Sequence, residues 1–379
     1  SDPLPGSDPS ATGSADAYAL TSDDFVSLAR HYGRMGGIDR IATLVNAVRA
    51  ERGDDKVLLL DGGDTWQGSW SALQSKAQDM IDVMAALKLG AMTAHWEFTL
   101  GAERVKEVVD SAPFAFLAQN VRDKEWSEPV FEPRKMFEKG GVKVAVIGQA
   151  LPRTAVANPR WMFPDWEFGI REEDIQKQVD EARAEGASVV VLLSHDGFDV
   201  DKKLASRVNG IDIILTGHTH DAMPGLVRVG DTVLVATGSH GKFLSRLDIA
   251  ASGGKVTDIR FKLMPVFSDA IAPDKGMAAL IEKVRAPYAA ELAREIGRTE
   301  SLLFRRGNFN GTFDDLICEA MLAERDAEIA LSPGFRWGET LLPDTPITWE
   351  AITNATAITY PACYRMEMTG EQLKVILED

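Results

Sequence analysis

The chain has 379 residues, of which 45% are hydrophobic and 26% charged, so its length predicts two or three domains with hydrophobic cores of their own. Lysine and arginine total 41 and aspartate and glutamate total 57, which gives a formal net charge of −16 at pH 7. A surface of that sign repels nucleic acid and anionic lipid, and no apolar run approaches the roughly 18 residues that cross a bilayer, so the sequence argues against nucleic-acid and membrane partners.

Taken in chain order, the predicted elements alternate between helices and strands. Helical patterns at residues 23–33 and 38–52 are followed by apolar runs of the buried-strand type, at residues 56–64, 112–120, 142–150, 188–197 and 211–220. Further helical patterns separate some of these runs, at residues 72–89, 101–111, 171–185 and 201–208. The alternation predicts an α/β fold, and from Thr232 onwards successive strand patterns predict an antiparallel sheet edge.

Beyond residue 266 the pattern changes. Residues 267–298 have the pattern of a linker and a long helix, in which Pro287 predicts a kink or break. A smaller unit follows over residues 299–379, with a helix predicted at residues 314–324 and a strand at residues 327–334.

Both ends of the chain have the character of interior segments. Residues 1–18 are rich in proline, glycine, serine and aspartate and begin without methionine, and the helical pattern that opens at Thr369 stops without a C-cap. We therefore expect a segment truncated at both ends, so that the missing export signal carries no meaning. The cysteines, Cys318 and Cys363, lack metal-ligand spacing; they allow one disulfide, but two buried thiols are the more ordinary arrangement.

Polar residues that suit a metal follow several of the predicted strands. His195, His218 and His220 close two of the apolar runs, and His240, Asp64 and His95 occupy comparable turn positions. Because ligands gather beyond the carboxyl ends of strands in open α/β sheets, we expect these side chains to converge.

A structural role is the alternative for each of these residues. A lone histidine at a strand end is more often a hydrogen-bonded cap than a ligand. His31 lies on an amphipathic helical pattern and is assigned to a structural role, and Asp61 is assigned to a cap of the following turn. For His218 and His220 a metal is favoured, because alternation along an extended strand would direct both imidazoles to one face. Nitrogen and oxygen donors with one bridging carboxylate predict two divalent ions, and the lack of thiolates argues against structural zinc. Manganese, iron and zinc all suit such donors.

Several motifs resemble a known enzyme family. The sequences "LLLDGGDTWQGS", "LLSHDGFDVD", "GHTH" and "GSHGKFLSRLDI" resemble the metallophosphoesterase/5′-nucleotidase superfamily. More narrowly, "AMTAHWEFTLG", "GNFNGTFDDLICEAM", "SPGFRWGETLLP" and "NATAITYP" resemble the SoxB family of thiosulfohydrolases, which take part in sulfur oxidation. The resemblance implies a calcineurin-like αββα sandwich over residues 1–266. It also implies a smaller, incomplete α+β domain of the 5′-nucleotidase C-terminal type over residues 299–379.

The resemblance also implies the metal ligands. Asp64 would bridge two divalent ions, with His95, His195 and His218 on one ion and His220 on the other, and manganese is the expected metal. The family's first strand supplies an Asp-x-His pair as well, and that strand would precede residue 1. One ion would then lack two ligands in this segment.

The implied reaction is hydrolysis of a sulfonate, held through sulfur on a carrier-protein cysteine, to sulfate. Phosphoesterases of the superfamily carry a general-acid histidine where this chain has Trp96, and an aspartate where it has Thr99. Since a sulfur anion is a weakly basic leaving group, a proton donor is dispensable, and Trp96 is predicted to pack on the substrate and exclude water. His240 is predicted to orient a metal ligand or an ion-bound oxygen.

Two further residues are predicted to bind the substrate from the second unit. Arg336 would clamp the sulfonate, with a surface salt bridge as an equally weighted alternative. Asn310 is the weaker candidate, because an N-cap explains it adequately.

The expected partner is a sulfur-carrier protein of the SoxY/SoxZ kind, and the resemblance implies the periplasm as the location. Two alternatives stay open at this point. One is a 5′-nucleotidase-like phosphomonoesterase, which Trp96 and Thr99 disfavour. The other is a catalytically silent fragment that binds metal or a partner.

Overall fold

The structure, a computed structural model, describes residues 25–305, 311–332, 338–356 and 362–378. These residues fall into two compact units. The first contains residues 27–67 and 71–287, and the second contains the described residues of 288–378 together with 25–26 and 68–70. None of the helices in the described ranges combines the length and apolarity that crossing a bilayer requires.

The first unit contains two sheets and two small antiparallel pairs. Its strands are β1 (Leu60–Asp61), β2 (Ala91–Met92), β3 (Ala115–Phe116), β4 (Arg122–Asp123), β5 (Arg134–Lys139), β6 (Val142–Gln149), β7 (Trp166–Glu167), β8 (Val189–Ser194), β9 (Ile213–Thr216), β10 (Val227–Val229), β11 (Thr232–Ala236), β12 (Phe243–Ser252) and β13 (Lys255–Pro265).

The larger sheet has the strand order β10-β11-β9-β8-β6-β5. Its central strands β11, β9, β8 and β6 are parallel, and the edge strands β10 and β5 are antiparallel to their neighbours. Every residue of β8 is buried, as expected for an apolar run without alternation that is covered on both faces. Strands β1, β2 and β3 form the smaller sheet, which is parallel. The antiparallel pairing predicted from Thr232 onwards holds for β12 with β13, whereas β11, which begins at Thr232, is antiparallel to β10 but parallel to β9.

Helices cover the outer faces of the two sheets. The α-helices up to residue 287 are Phe25–Tyr32, Ile38–Arg52, Trp70–Ser75, Gln78–Ala86, Ala102–Ser111, Thr154–Ala157, Glu172–Ala184, Phe198–Ala205 and Lys275–Arg285. The 3₁₀ turns are Asp54–Lys56, Trp96–Leu100, Arg160–Met162 and Ala286–Tyr288.

The core of the first unit has the layers α, β, β, α. On one face of the larger sheet, side chains such as Ile147 and Leu192 pack against Ile175 and Leu204 of the flanking helices. On its other face, residues of the larger sheet share a core with Ala91, Ala115 and Leu117, which lie in or next to the smaller sheet. Helices Ile38–Arg52, Gln78–Ala86 and Lys275–Arg285 form the last layer, with Ala42, Val83 and Met277 in contact around Leu59. The predicted mixed α/β sandwich is confirmed.

Several predicted boundaries differ from the structure. The helical pattern at residues 72–89 is broken at Lys76 and Ala77, which have φ values of 49° and 66° in the left-handed region. The helix predicted at residues 201–208 begins earlier, at Phe198, directly after Gly197. The break predicted at Pro287 is confirmed, because the helix ends at Arg285.

In the second unit, β14 (Glu295–Arg298) and β15 (Pro346–Thr348) form an antiparallel pair beside the helices Ala289–Leu292, Thr312–Arg325, Trp349–Thr356 and Gly370–Glu378. Its core contains Phe313, Leu341 and Ala351. The prediction of a strand at residues 327–334 is wrong over its described part, residues 327–332. Both cysteines are free; Cys318 is half-buried and Cys363 is exposed, so the prediction of two buried thiols is wrong.

Candidate metal centre

The predicted ligands lie on loops that leave the carboxyl ends of four parallel strands. Asp64 follows β1, His95 follows β2, His195 follows β8 and His218 follows β9. Strand β8 pairs with β9, and β1 pairs with β2, so the two loops from each sheet start as neighbours. The packing of the two sheets on a common core then brings the two pairs of loops together.

One nitrogen or oxygen atom from each of Asp64, His95, His195 and His218 lies within 4.8 Å of the other three. His95 Nδ1 is 3.1 Å from Asp64 Oδ1, and His195 Nε2 is 3.1 Å from Asp64 Oδ2. The ring centroids of His95, His195 and His218 are 5.1 to 5.4 Å apart. Within the described ranges, no other group of three or more such donors is close enough to hold an ion.

His195 is oriented by the chain around it. Its Nδ1 is 2.5 Å from the Gly62 carbonyl oxygen and can only donate there, so Nε2 is the nitrogen that faces Asp64 and that can bind an ion once it carries no proton. The approach requires glycines, since a Cβ on Gly63 (φ 92°) or on Gly217 would lie 3.1 or 3.0 Å from His195 Nδ1. The glycines of "DGGD" and "TGHTH" therefore make room for one buried imidazole.

The charges in this group depend on one another. Burial disfavours ionisation of the Asp64 carboxylate, but the charges and hydrogen bonds of His95 and His195 outweigh it and hold the pKa of Asp64 well below its usual value. Burial also opposes the charged form of His195, yet Asp64 and the Gly62 carbonyl raise its pKa to about 9. For His218, burial and the charges of His195 and His95 lower the pKa to about 4. The group thus keeps Asp64 ionised, favours the charged form of His195 and disfavours the charged form of His218.

Backbone strain is concentrated at these residues. Asp64, His218, His220 and His240 all have positive φ, at 63°, 73°, 62° and 57°. A non-glycine residue in this region costs on the order of 1 kcal/mol or more and persists only where its surroundings fix it. The prediction that alternation along an extended strand directs both imidazoles of His218 and His220 is therefore wrong. Strand β9 ends at Thr216, and left-handed turns direct the two imidazoles instead.

His220 and His240 lie beside the four-residue group and outside it. Their ring centroids are 5.7 Å apart, nearly perpendicular, and His240 Nδ1 is 2.9 Å from Ser239 Oγ. Burial is the main cause that lowers the pKa of His220, to about 3, which keeps the imidazole neutral as a ligand must be. The assignment of His220 to a second ion and of His240 to an orienting role stays a prediction.

Trp96 lies at the edge of the group. Its indole is half-buried, and its ring centroid is 5.5 Å from that of His95. Its backbone N–H donates to Asp64 Oδ1 over 3.0 Å, and its carbonyl accepts a hydrogen bond from Thr99 Oγ1. The two predicted substrate residues of the second unit, Asn310 and Arg336, lie outside the described residues.

The sequence reasoning gave no role to Glu97, which adjoins the group and is fully buried. Burial and the charge of Asp64 raise the pKa of Glu97 to about 7, against backbone N–H donors that lower it. A carboxyl group within the apolar stretch "HWEFTL" was the available signal, because such a group is rarely buried without specific partners.

Two further acids, Asp196 and Asp201, are buried close to His195 in the sequence. Asp201 Oδ1 accepts a hydrogen bond of 2.7 Å from Ser194 Oγ, and Asp196 Oδ2 accepts one of 3.0 Å from Gln149 Nε2. Burial raises the pKa of both acids, that of Asp201 to about 7. In the unfolded chain Asp201 releases its proton near pH 4, whereas the folded chain keeps it up to about pH 7. The free energy of unfolding therefore falls as pH rises from about 4 to about 7.

We therefore expect Asp201→Asn to flatten the loss of stability with rising pH. The amide keeps the size of the side chain and an acceptor for Ser194 but has no proton to lose. The free energy of unfolding of the variant minus that of the unsubstituted chain should rise by up to about 1.4 kcal/mol per pH unit between pH 4 and 7. Above pH 7 this difference should stay constant. Urea unfolding at several pH values measures this difference, and parallel curves for the two proteins would contradict it.

The residues present fit a divalent transition metal. Three imidazoles and a carboxylate without any thiolate suit manganese, iron or zinc. Asp64 is held ionised, and the Gly62 carbonyl sets the tautomer of His195, as is usual around metal-bound histidines.

Two solved structures are similar to this one over most of its length. The sulfate thiohydrolase SoxB of Thermus thermophilus, solved with glycerol, has 36% sequence identity and a TM-score of 0.91, over 96% of this chain and 67% of its own. A 5′-nucleotidase precursor, also from Thermus thermophilus, has 25% identity and a TM-score of 0.75, over 85% of this chain and 68% of its own.

Among curated proteins, the 5′-nucleotidase of the venom of Naja atra is 27% identical over 323 residues, which is 76% of this chain and 59% of that protein. The 5′-nucleotidase of Bos taurus is 26% identical over 338 residues, 80% of this chain and 57% of its own length. The chain thus spans little more than half the length of these relatives. No protein-family model matches it.

The SoxB structure and the 5′-nucleotidase precursor structure have a metallophosphoesterase domain followed by a C-terminal domain, which agrees with the mixed α/β fold and the two units seen here. The identity to SoxB is higher than to the nucleotidases, and its similarity extends over nearly the whole chain. The chain belongs to the SoxB family, within the metallophosphoesterase/5′-nucleotidase superfamily of metal-dependent hydrolases.

Proposed function

We propose that this protein is a dinuclear-metal hydrolase that releases sulfate from a cysteine-bound S-thiosulfonate on a carrier protein. The observation that carries the proposal is Trp96, a half-buried indole whose ring lies 5.5 Å from that of His95. It stands where the phosphoesterases of the superfamily carry a general acid. The higher identity to a sulfate thiohydrolase than to 5′-nucleotidases supports the same choice.

In the proposed reaction, a water oxygen attacks the sulfonate sulfur and the bond from that sulfur to the carrier-bound sulfur breaks. The electron pair leaves on the carrier sulfur, the products are sulfate and a persulfide anion, and two protons pass to solvent. When bound, the divalent ions supply Lewis acidity towards the water and the sulfonate oxygens. Because the leaving sulfur anion is weakly basic, no side chain has to protonate it.

The protein's own residues would hold the ions and orient the substrate. Asp64 and the three imidazoles present a preset donor set, in which the Gly62 carbonyl fixes the tautomer of His195. Trp96 presents an apolar face beside the donors, where it would pack against the carrier arm and exclude bulk water. Manganese as the metal, the periplasm as the location and a SoxY/SoxZ-like carrier as the partner belong to this proposal.

The alternative is a 5′-nucleotidase-like phosphomonoesterase, which the curated relatives favour. It requires protonation of an alkoxide leaving group, a contribution of typically 10²- to 10⁴-fold. Neither Trp96 nor Thr99 is the acid or its orienting partner that such a reaction uses.

The test is a comparison of substrates with the full-length protein loaded with Mn²⁺. We expect sulfate release from a carrier bearing a cysteine S-thiosulfonate to exceed hydrolysis of AMP or an aryl phosphate by at least about 100-fold in kcat/KM, the size of the missing general-acid contribution. Faster turnover of the phosphate esters would establish the nucleotidase alternative. A protein without metal after loading, and without either activity, would establish a silent binding module.

A further inference from the structure

The carboxylate of Glu97 makes hydrogen bonds to the backbone of both loops that begin the metal centre. Its Oε1 accepts from the N–H groups of Thr65 over 2.7 Å and Trp66 over 3.4 Å. Its Oε2 accepts from the N–H groups of His95 over 2.8 Å and Asp64 over 3.2 Å. Glu97 has no exposed surface, so these contacts are screened from water.

This use of a buried carboxylate is unusual in its partners. Burial of a charged group costs several kcal/mol unless it is compensated, and here four backbone N–H groups supply the hydrogen bonds, with a smaller contribution from the charge of His195. Three of the donors belong to consecutive residues, 64 to 66, and the fourth belongs to a loop about thirty residues further along the chain. One side chain therefore fixes the spacing between two loops that are not adjacent in sequence.

The two loops also bind each other in the opposite direction. The backbone N–H of Trp96, the residue before Glu97, donates to Asp64 Oδ1 over 3.0 Å. Asp64 therefore receives a hydrogen bond from the His95 loop and gives its own N–H to Glu97 in that loop. The pair resembles a capping box in its reciprocity, formed here across two strands.

Asp64 is the residue that needs such support. Its φ of 63° is strained for a residue with a side chain, and it contacts both His95 and His195. A turn free to relax would move its carboxylate away from the imidazoles. The hydrogen bonds of Glu97 to the N–H groups of residues 64, 65 and 66 hold the turn in its strained form.

We propose that Glu97 is a positioning residue of the metal centre: it sets the separation of Asp64 and His95 before any ion binds, and so sets the affinity for the ion. Glu97 need not touch the metal, the substrate or the reacting water. The proposal concerns metal binding alone and holds or fails whether or not the protein acts on a thiosulfonate.

The test is the affinity for Mn²⁺, measured without substrate by calorimetry on the metal-free protein, with the electron paramagnetic resonance line shape of bound Mn²⁺ as a second readout. Glu97→Gln keeps the volume but replaces one acceptor oxygen by an NH₂ group that faces N–H donors. We expect it to weaken Mn²⁺ binding about 10- to 100-fold, as loss of residues behind metal ligands typically does. Glu97→Asp keeps the charge but is one methylene shorter, and we expect an intermediate loss.

Asp79→Asn is the matched control. Asp79, in the helix Gln78–Ala86, is also a buried acid; it accepts from the backbone N–H of Met80 over 2.8 Å and from the Oγ of Ser75, which ends the preceding helix. The Asp79→Asn substitution should lower the melting temperature, as Glu97→Gln does, but it should change the Mn²⁺ affinity by less than about threefold. Affinity within threefold of the unsubstituted protein in a folded Glu97→Gln variant would overturn the proposal. If that variant does not fold, the same criterion applied to Glu97→Asp decides.

Discussion

Asp64→Asn is expected to lower the affinity for Mn²⁺ by at least about 100-fold and to remove hydrolytic activity with it. The carboxylate is 3.1 Å from a nitrogen of both His95 and His195, so the substitution removes the one negative charge of the group. Loss of one partner of a buried ion pair typically costs 3–5 kcal/mol, which is about two to four powers of ten in a binding constant. The amide also has one oxygen fewer with which to bind an ion.

The matched control for this variant is Asp212→Asn. Asp212 is as exposed as Asp64, with 20% of each side chain accessible, and it pairs with Arg183 over 2.7 Å. It immediately precedes β9 and so lies at the amino end of that strand, whereas His218 follows its carboxyl end. The variant should lose some stability and keep its Mn²⁺ affinity. Equal Mn²⁺ affinities for Asp64→Asn and the unsubstituted protein, measured by calorimetry, would remove Asp64 from the ligand set.

The layers and the location of the centre could be predicted because both depend on patterns that short segments carry. An apolar run such as Val189–Leu193 has to be buried on both faces, and a residue that follows it has to emerge at the carboxyl end of a strand. His195 and His218 follow such runs, and β8 and β9 are paired neighbours, so their proximity follows from the strand pattern alone.

The backbone geometry of the centre could not be predicted in the same way. Periodicity describes the direction of side chains in regular structure, and His218 and His220 lie beyond the end of β9, where left-handed turns decide the direction. The break at Ala77 has the same origin, since a left-handed residue interrupts a helix whose apolar pattern continues across it. Neither turn is marked by a glycine at the residue concerned.

Glu97 was missed for a different physical reason. Its partners are backbone N–H groups of residues 64 to 66, and a backbone donor leaves no trace in the amino-acid sequence. A salt bridge or a metal ligand is suggested by the type of its partner residue, whereas this contact depends only on where the chain passes. Its position in an apolar stretch indicates burial but cannot indicate which loop it binds.

Trp96→His is expected to raise phosphomonoester hydrolysis about tenfold. The backbone at this position is held independently of the side chain, because the N–H of Trp96 donates to Asp64 and its carbonyl accepts from Thr99. An imidazole would therefore start from the location of the indole, beside His95, and could donate a proton to a leaving alkoxide. General-acid catalysis contributes typically 10²- to 10⁴-fold, but Thr99 offers no carboxylate to orient the new imidazole, so the gain should be partial. The double variant with Thr99→Asp should reach about 100-fold.

The dependence on the leaving group distinguishes a proton donor from a change in packing. Protonation matters most for a strongly basic leaving group, so the gain should be larger for AMP than for an aryl phosphate. Trp96→His should not accelerate sulfate release, because the leaving sulfur anion needs no proton. It should slow sulfate release, because the indole that packs against the carrier arm is lost. Trp96→Phe retains a ring but supplies no proton, and it should change neither phosphate substrate. If the histidine and phenylalanine variants behave alike on AMP, the indole does not occupy the place of a general acid, and the argument from leaving-group basicity fails with it.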